Sequence, residues 1–218
     1  MDVAIAGGHG KIALRLERLL AAGGHRARAL IRNPDHASDV AAAGAEPVVL
    51  DLEAADAATV TDAVRSADAV VFAAGAGPGS GPARKRTVDY GAAVALIEAA
   101  RAAGVDRYVM VSSIGAHDPA SGRGDMGPYL KAKADADAAL LASGLRHTIV
   151  RPGGLTDEPG TGLVTVSTEL GGRASVPRDD VAAVLLATLV DDAAVGVTFE
   201  LFAGDTPIAE ALAALDGT

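Results

Sequence analysis

At 218 residues the chain is long for one domain and short for two, so a single sheet with its helices is the economical reading. The absence of cysteine excludes a disulfide scaffold, a thiolate metal site and a cysteine nucleophile. A formal charge of −9, from 19 basic and 28 acidic residues, opposes general attraction to nucleic acid or an anionic membrane, so any anionic ligand must be held locally.

Short Val/Ile/Ala runs alternate with Ala/Leu-rich stretches at helical spacing, which predicts an α/β chain with a doubly wound, mostly parallel sheet and helices on both faces. Residues 3–6 form the first predicted strand. Ile12, Leu16, Leu19 and Leu20 then recur on one helical face until Gly23 and Gly24 stop the helix. Further strands are expected at 27–31, 47–50, 69–73, 108–112, 148–150 and 197–202. Helices are expected at 86–103, 129–142, 179–190 and 208–215. Three Gly-, Pro-, Ser- or Asp-rich segments, 75–83, 115–128 and 154–172, read as loops. Each follows a strand, where loops of an open parallel sheet wall the ligand crevice; plain surface connections are the alternative. The apolar stretch 182–190 is far shorter than the roughly 20 residues of a membrane span. No cleaved signal peptide is expected ahead of the first strand, and the expected location is the cytoplasm.

Gly7-Gly8-His9-Gly10-Lys11-Ile12-Ala13 follows a strand and opens an amphipathic helix, a G-x-x-G-x-x-A spacing at the place a dinucleotide turn requires. Gly7 permits the tight turn, Gly10 lets the backbone approach a pyrophosphate, and Ala13 lets the helix pack closely on the sheet. Backbone N–H groups at the helix start then face the phosphates. Sites that prefer NAD end the second strand with Asp or Glu about 20 residues beyond the glycines. Here Leu30, Ile31 and Arg32 stand instead, and Arg32 suits a 2′-phosphate, so NADP(H) is favoured over NAD(H). A solvated Arg32 is the alternative. Asp51 and Leu52 after the third strand are candidates to border the adenine, and Ala73, Ala74 and Gly75 after the fourth offer close backbone approach. For Asp51 simple strand-end chemistry is the competing reading.

Tyr129 and Lys133 lie one helical turn apart and can act on one ligand. Reduction of a carbonyl needs a proton donor, and a phenol of ordinary pKa near ~10 needs a neighbouring ammonium to exchange protons at neutral pH. Lys133 supplies one and can also bond ribose hydroxyls. Ser113, ending the fifth strand, can hold the substrate oxygen. Alternatively Tyr129 is an amphipathic side chain at a helix start, and Lys131 and Lys133 form a solvated face.

The glycine turn, the Ser112-Ser113 strand end, Tyr129-x-x-x-Lys133 and Arg151-Pro152-Gly153 together resemble an atypical short-chain dehydrogenase/reductase. The similarity is to small bacterial NAD(P)H-binding, epimerase/dehydratase-like proteins. The resemblance implies a single Rossmann domain over 1–218 with about seven strands, Pro152 and Gly153 bordering the nicotinamide, and 152–218 as a small substrate-side region. It implies an NADPH-dependent oxidoreductase acting on a small carbonyl, quinone or flavin acceptor, with a non-catalytic NADP(H) sensor as the alternative. Where the main family places Asn, this chain has Asp89; if it approaches Lys133 as the resemblance suggests, it offsets the ammonium's effect on Tyr129. Only about 65 residues follow Pro152, too few for the substrate region of sugar-nucleotide epimerases. His9 reads as loop filler or a phosphate contact, and His117 as loop filler or a substrate contact. Arg84-Lys85-Arg86 reads as a solvated helix start, with ligand contact as the alternative. The five histidines show no metal-ligand spacing, so no metal site is expected.

Overall fold

The computed structural model describes residues 1–77 and 79–217, so Pro78 of the predicted 75–83 loop lies outside the described residues. Seven parallel strands form the body of the sheet: β1 (Asp2–Ala6), β2 (Arg26–Ile31), β3 (Glu46–Val49), β4 (Ala69–Phe72), β5 (Arg107–Val111), β6 (Arg146–Pro152) and β10 (Thr198–Ala203). Their order is β3-β2-β1-β4-β5-β6-β10, which reverses direction of growth beside β1 and opens the crevice where a doubly wound sheet takes its ligand.

The rest of the sheet corrects the sequence reading. Residues 154–172, expected as a loop, contain β7 (Gly154–Thr156) and β8 (Leu163–Ser167), and β9 (Ser175–Pro177) follows. β8 runs antiparallel to β10 and carries β11 (Thr206–Pro207) on its far side, making a nine-stranded sheet; β7 and β9 pair separately. The alternation in Leu163-Val164-Thr165, with only Val164 buried, is a strand period that the neighbouring glycines masked.

Alternation along the parallel strands divides the core. Val3 and Ile5 face one layer with α1 (Lys11–Ala22), α2 (Ala37–Ala42) and α7 (Arg178–Val190), while Ala4 and Ala6 face another with α3 (Ala57–Val64), α5 (Ala93–Ala103) and α6 (Met126–Leu141). α4 (Gly81–Arg84) runs into α5 through a π-helical stretch, Lys85–Ala92, and α8 (Ile208–Ala213) closes the first layer. The long helix therefore begins earlier than residue 86. Among the described residues, no helix is long and apolar enough to cross a membrane.

Candidate active site

The β1–α1 turn has the form its glycines foretell. Gly7 adopts φ +77°, and the Gly10 N–H donates to its carbonyl at 2.7 Å. A Cβ on Gly7 would lie 2.6 Å from the Ala74 Cα, and one on Gly8 2.5 Å from the Ala29 Cβ, so both positions require glycine. Gly10 caps α1 in an extended conformation with no side-chain bond, and no acidic residue occupies the first turn. The orphan N–H groups of α1 are thus left for an anion, which fits the pyrophosphate of a dinucleotide.

Beside this turn lies a cavity of about 330 Å³, whose lining brings together the candidate cofactor residues Gly7, Gly8, His9, Gly10, Arg32, Asp51, Leu52, Ala73, Ala74 and Gly75. Lys11 lines neither this cavity nor its neighbour: its ammonium bonds Asp157, whose carboxyl is held below its usual range by that bond together with Arg178 and Arg15. Ile12 lines the neighbouring cavity instead. The His9 ring bonds Asp39 at 2.8 Å and stacks on His36 at 3.6 Å, so it is a fixed wall rather than loop filler.

Also lining this cavity is a residue the sequence reading missed, Glu53. Glu53 accepts from Arg32 (3.3 Å), Arg84 (2.8 Å) and the Thr87 hydroxyl (2.6 Å), and its own N–H donates to Asp51. Arg84 lines the cavity too, in keeping with the ligand-contact alternative for that segment. The available signal was an acidic residue two positions beyond Asp51; its partners are brought in only by folding.

A second cavity, of about 400 Å³, shares Ala73, Ala74 and Gly75 with the first and is lined by Asp89, Ser113, Tyr129, Lys133, Pro152 and Gly153. The chain thus brings all four predicted catalytic residues to one place. Lys133 is buried, donates to the Val111 carbonyl at 3.1 Å and lies 3.5 Å from the Asp89 carboxylate, the approach the resemblance suggests. The other Asp89 oxygen accepts from the Ala76 N–H at 3.3 Å. Ser113 and Tyr129 are half-buried, and the Ser113 hydroxyl donates to the Ile114 carbonyl at 3.2 Å. Ser112 is committed elsewhere: its hydroxyl bonds Asp137 at 2.9 Å, where Arg151 also donates at 3.0 Å. Burial raises the Asp137 carboxyl, and Arg151 opposes that rise. Lys85, for which the sequence favours a solvated helix start over ligand contact, is buried and lines this cavity, whereas His117 lines neither and sits 3.2 Å from Glu200.

Comparison with known families matches residues 7–192 to a family described as NAD(P)H-binding. The chain belongs to that family. It is 41% identical over 213 residues to a Bacillus subtilis protein named as an uncharacterized sugar epimerase, YhfK, covering 97% of this chain and 99% of that one. Among solved structures, an NAD-dependent epimerase/dehydratase-type protein of Bacillus halodurans superposes with a TM-score of 0.93 at 40% identity, covering 99% of this chain and 100% of that one. The anaerobillin reductase ChuY of Escherichia coli O157:H7 superposes with a TM-score of 0.77 at 27% identity, over 94% of this chain and 98% of that one. The resemblance to small bacterial NAD(P)H-binding, epimerase/dehydratase-like proteins and the Rossmann fold stand with these relatives.

Proposed function

We propose that this chain is an NADPH-dependent oxidoreductase that reduces a small carbonyl, quinone or flavin acceptor in the second cavity, as a cytoplasmic protein. The observation that carries the reading is the convergence of Ser113, Tyr129 and Lys133 on a cavity that shares Ala73, Ala74 and Gly75 with the cavity at the glycine turn. Bound NADPH would supply the hydride. For a carbonyl acceptor, Tyr129 donates its phenolic proton to the oxygen as hydride reaches the carbon, and regains a proton from solvent. The Ser113 hydroxyl orients that oxygen. Lys133, anchored by Val111 and Asp89, holds its ammonium beside the cavity and offers donors to a ribose hydroxyl. Arg32 and Arg84 support the NADP(H) preference, since both guanidinium groups line the adenosine-side cavity.

Calorimetric titration with NADPH and NADH, followed by a panel of quinones, aldehydes and flavins, tests the proposal. Tight NADPH binding is expected, weakened about 100-fold by Arg32→Glu, with NADH affected far less. Tyr129→Phe is expected to lower kcat for a carbonyl acceptor by about 10²–10⁴-fold with cofactor affinity kept. Unchanged turnover in that variant would leave solvent as the acid. The Asp89–Lys133 pair favours one second reading, a redox sensor that binds NADP(H) without turnover, because Asp89 offsets the ammonium; binding with no acceptor reduced would support it. A protein that binds no dinucleotide would sink both.

A further inference from the structure

Lys85 has no part in the mechanism above, yet it is only 7% exposed and lines the acceptor cavity. We infer that the acceptor carries a carboxylate on an apolar body and that Lys85 binds this carboxylate. The inference rests on the proposed function and narrows its substrate class.

The charge inventory of the cavity carries it. Two ammonium groups, Lys85 and Lys133, face one carboxylate, Asp89. That carboxylate pairs with Lys133 at 3.5 Å and accepts from the Ala76 N–H, and the oxygen nearer Lys133 has no hydrogen-bond partner among the described residues. Lys85 donates to the Asp125 carbonyl at 2.7 Å and makes no ion pair among the described residues. An ammonium has three N–H donors, so capacity for an anion remains. A buried cation without a counter-ion is costly, and a ligand anion is what relieves that cost. The remaining walls suit an apolar body: Val111 and Pro152 line the cavity, and Met126 and Leu155, 48% and 38% exposed, stand as large hydrophobic groups on it.

The competing role for Lys85 is mechanical, pinning the backbone before α6 to the long helix through Asp125. A matched pair of probes separates the two: 4-phenylbutanoate and 4-phenylbutanamide have nearly the same shape and differ in charge. The chain has three methionines, so a ¹³C-methyl label gives a simple spectrum in which Met126 reports on the cavity and Met110, fully buried in β5, serves as the reference. In the NADP⁺-loaded protein, the acid is expected to bind at least about tenfold tighter than the amide, moving the Met126 methyl and not Met110. Lys85→Met is expected to abolish the difference while leaving amide affinity unchanged, and Lys85→Arg to keep it. Equal affinities in the wild type, or a parallel loss of acid and amide in Lys85→Met, overturn the inference. If Lys85→Met does not fold, the wild-type acid-to-amide ratio and the Lys85→Arg variant decide. Calorimetry on the same samples reads cofactor binding separately. Loss of that binding counts against the proposed function, while the charge preference is still read at Met126.

Discussion

Glu53 shows how one side chain sets the electrostatics of the cofactor end. Its carboxylate bonds Arg32 and Arg84, the two guanidinium groups proposed to take a 2′-phosphate, so under that proposal phosphate and carboxylate would compete for the same donors. Glu53→Gln removes the competing charge and keeps an acceptor for both arginines. NADPH affinity is expected to rise about threefold to tenfold, with NADH nearly unchanged; fluorescence titration of both cofactors checks this, and an unchanged NADPH-to-NADH ratio would mean that Glu53 does not compete. Arg32 was legible in the sequence because its distance from the glycines is fixed by one strand-helix-strand unit. Glu53 was not, because Arg84 and Thr87 reach it from a helix about 30 residues on.

At the scale of the element, α1 carries a cost that its hydrophobic pattern conceals. Ile12, Leu16 and Leu20 mark the face on the sheet, but Glu17 is also fully buried, because α7 packs along α1. Neither Glu17 oxygen has a hydrogen-bond partner among the described residues. Burial pushes the carboxyl up to about 8, with Arg18 opposing only in part. The folded state therefore keeps a proton that the unfolded state releases near pH ~4.5. Stability contributed by the neutral form is complete below that value and is lost progressively as pH rises to about 8. Glu17→Gln is expected to flatten this dependence and raise Tm by about 5–10 °C at pH 8. Thermal melts from pH 5 to 8.5 check it; parallel profiles for variant and wild type would show that Glu17 ionises freely in the fold. Periodicity identified the sheet-facing stripe of α1, but it carries no information about a second helix covering an adjacent stripe.

Across the whole molecule, the segment after Pro152 completes the sheet and ties the site loops together. Glu200, buried on β10, accepts from the Leu170 and Gly171 N–H groups at 3.0 and 2.9 Å and meets His117 from the loop after β5. Glu200→Ala is expected to speed hydrogen exchange of the Leu170 and Gly171 amides at least about tenfold while β1 and β4 amides stay protected. Unchanged exchange would place the hold on those loops elsewhere. By itself the sequence determined the parallel α/β plan and the glycine turn, and it offered Arg32, Ser113, Tyr129 and Lys133 as candidates, because each depends on local period or on fixed spacing within one unit. Only the tertiary structure decided the antiparallel β8–β10 edge, the Glu53 bridge and the burial of Lys85, Glu17 and Glu200. These depend on which distant elements the sheet order brings into contact, and that pairing leaves no periodic mark on the residues that make it.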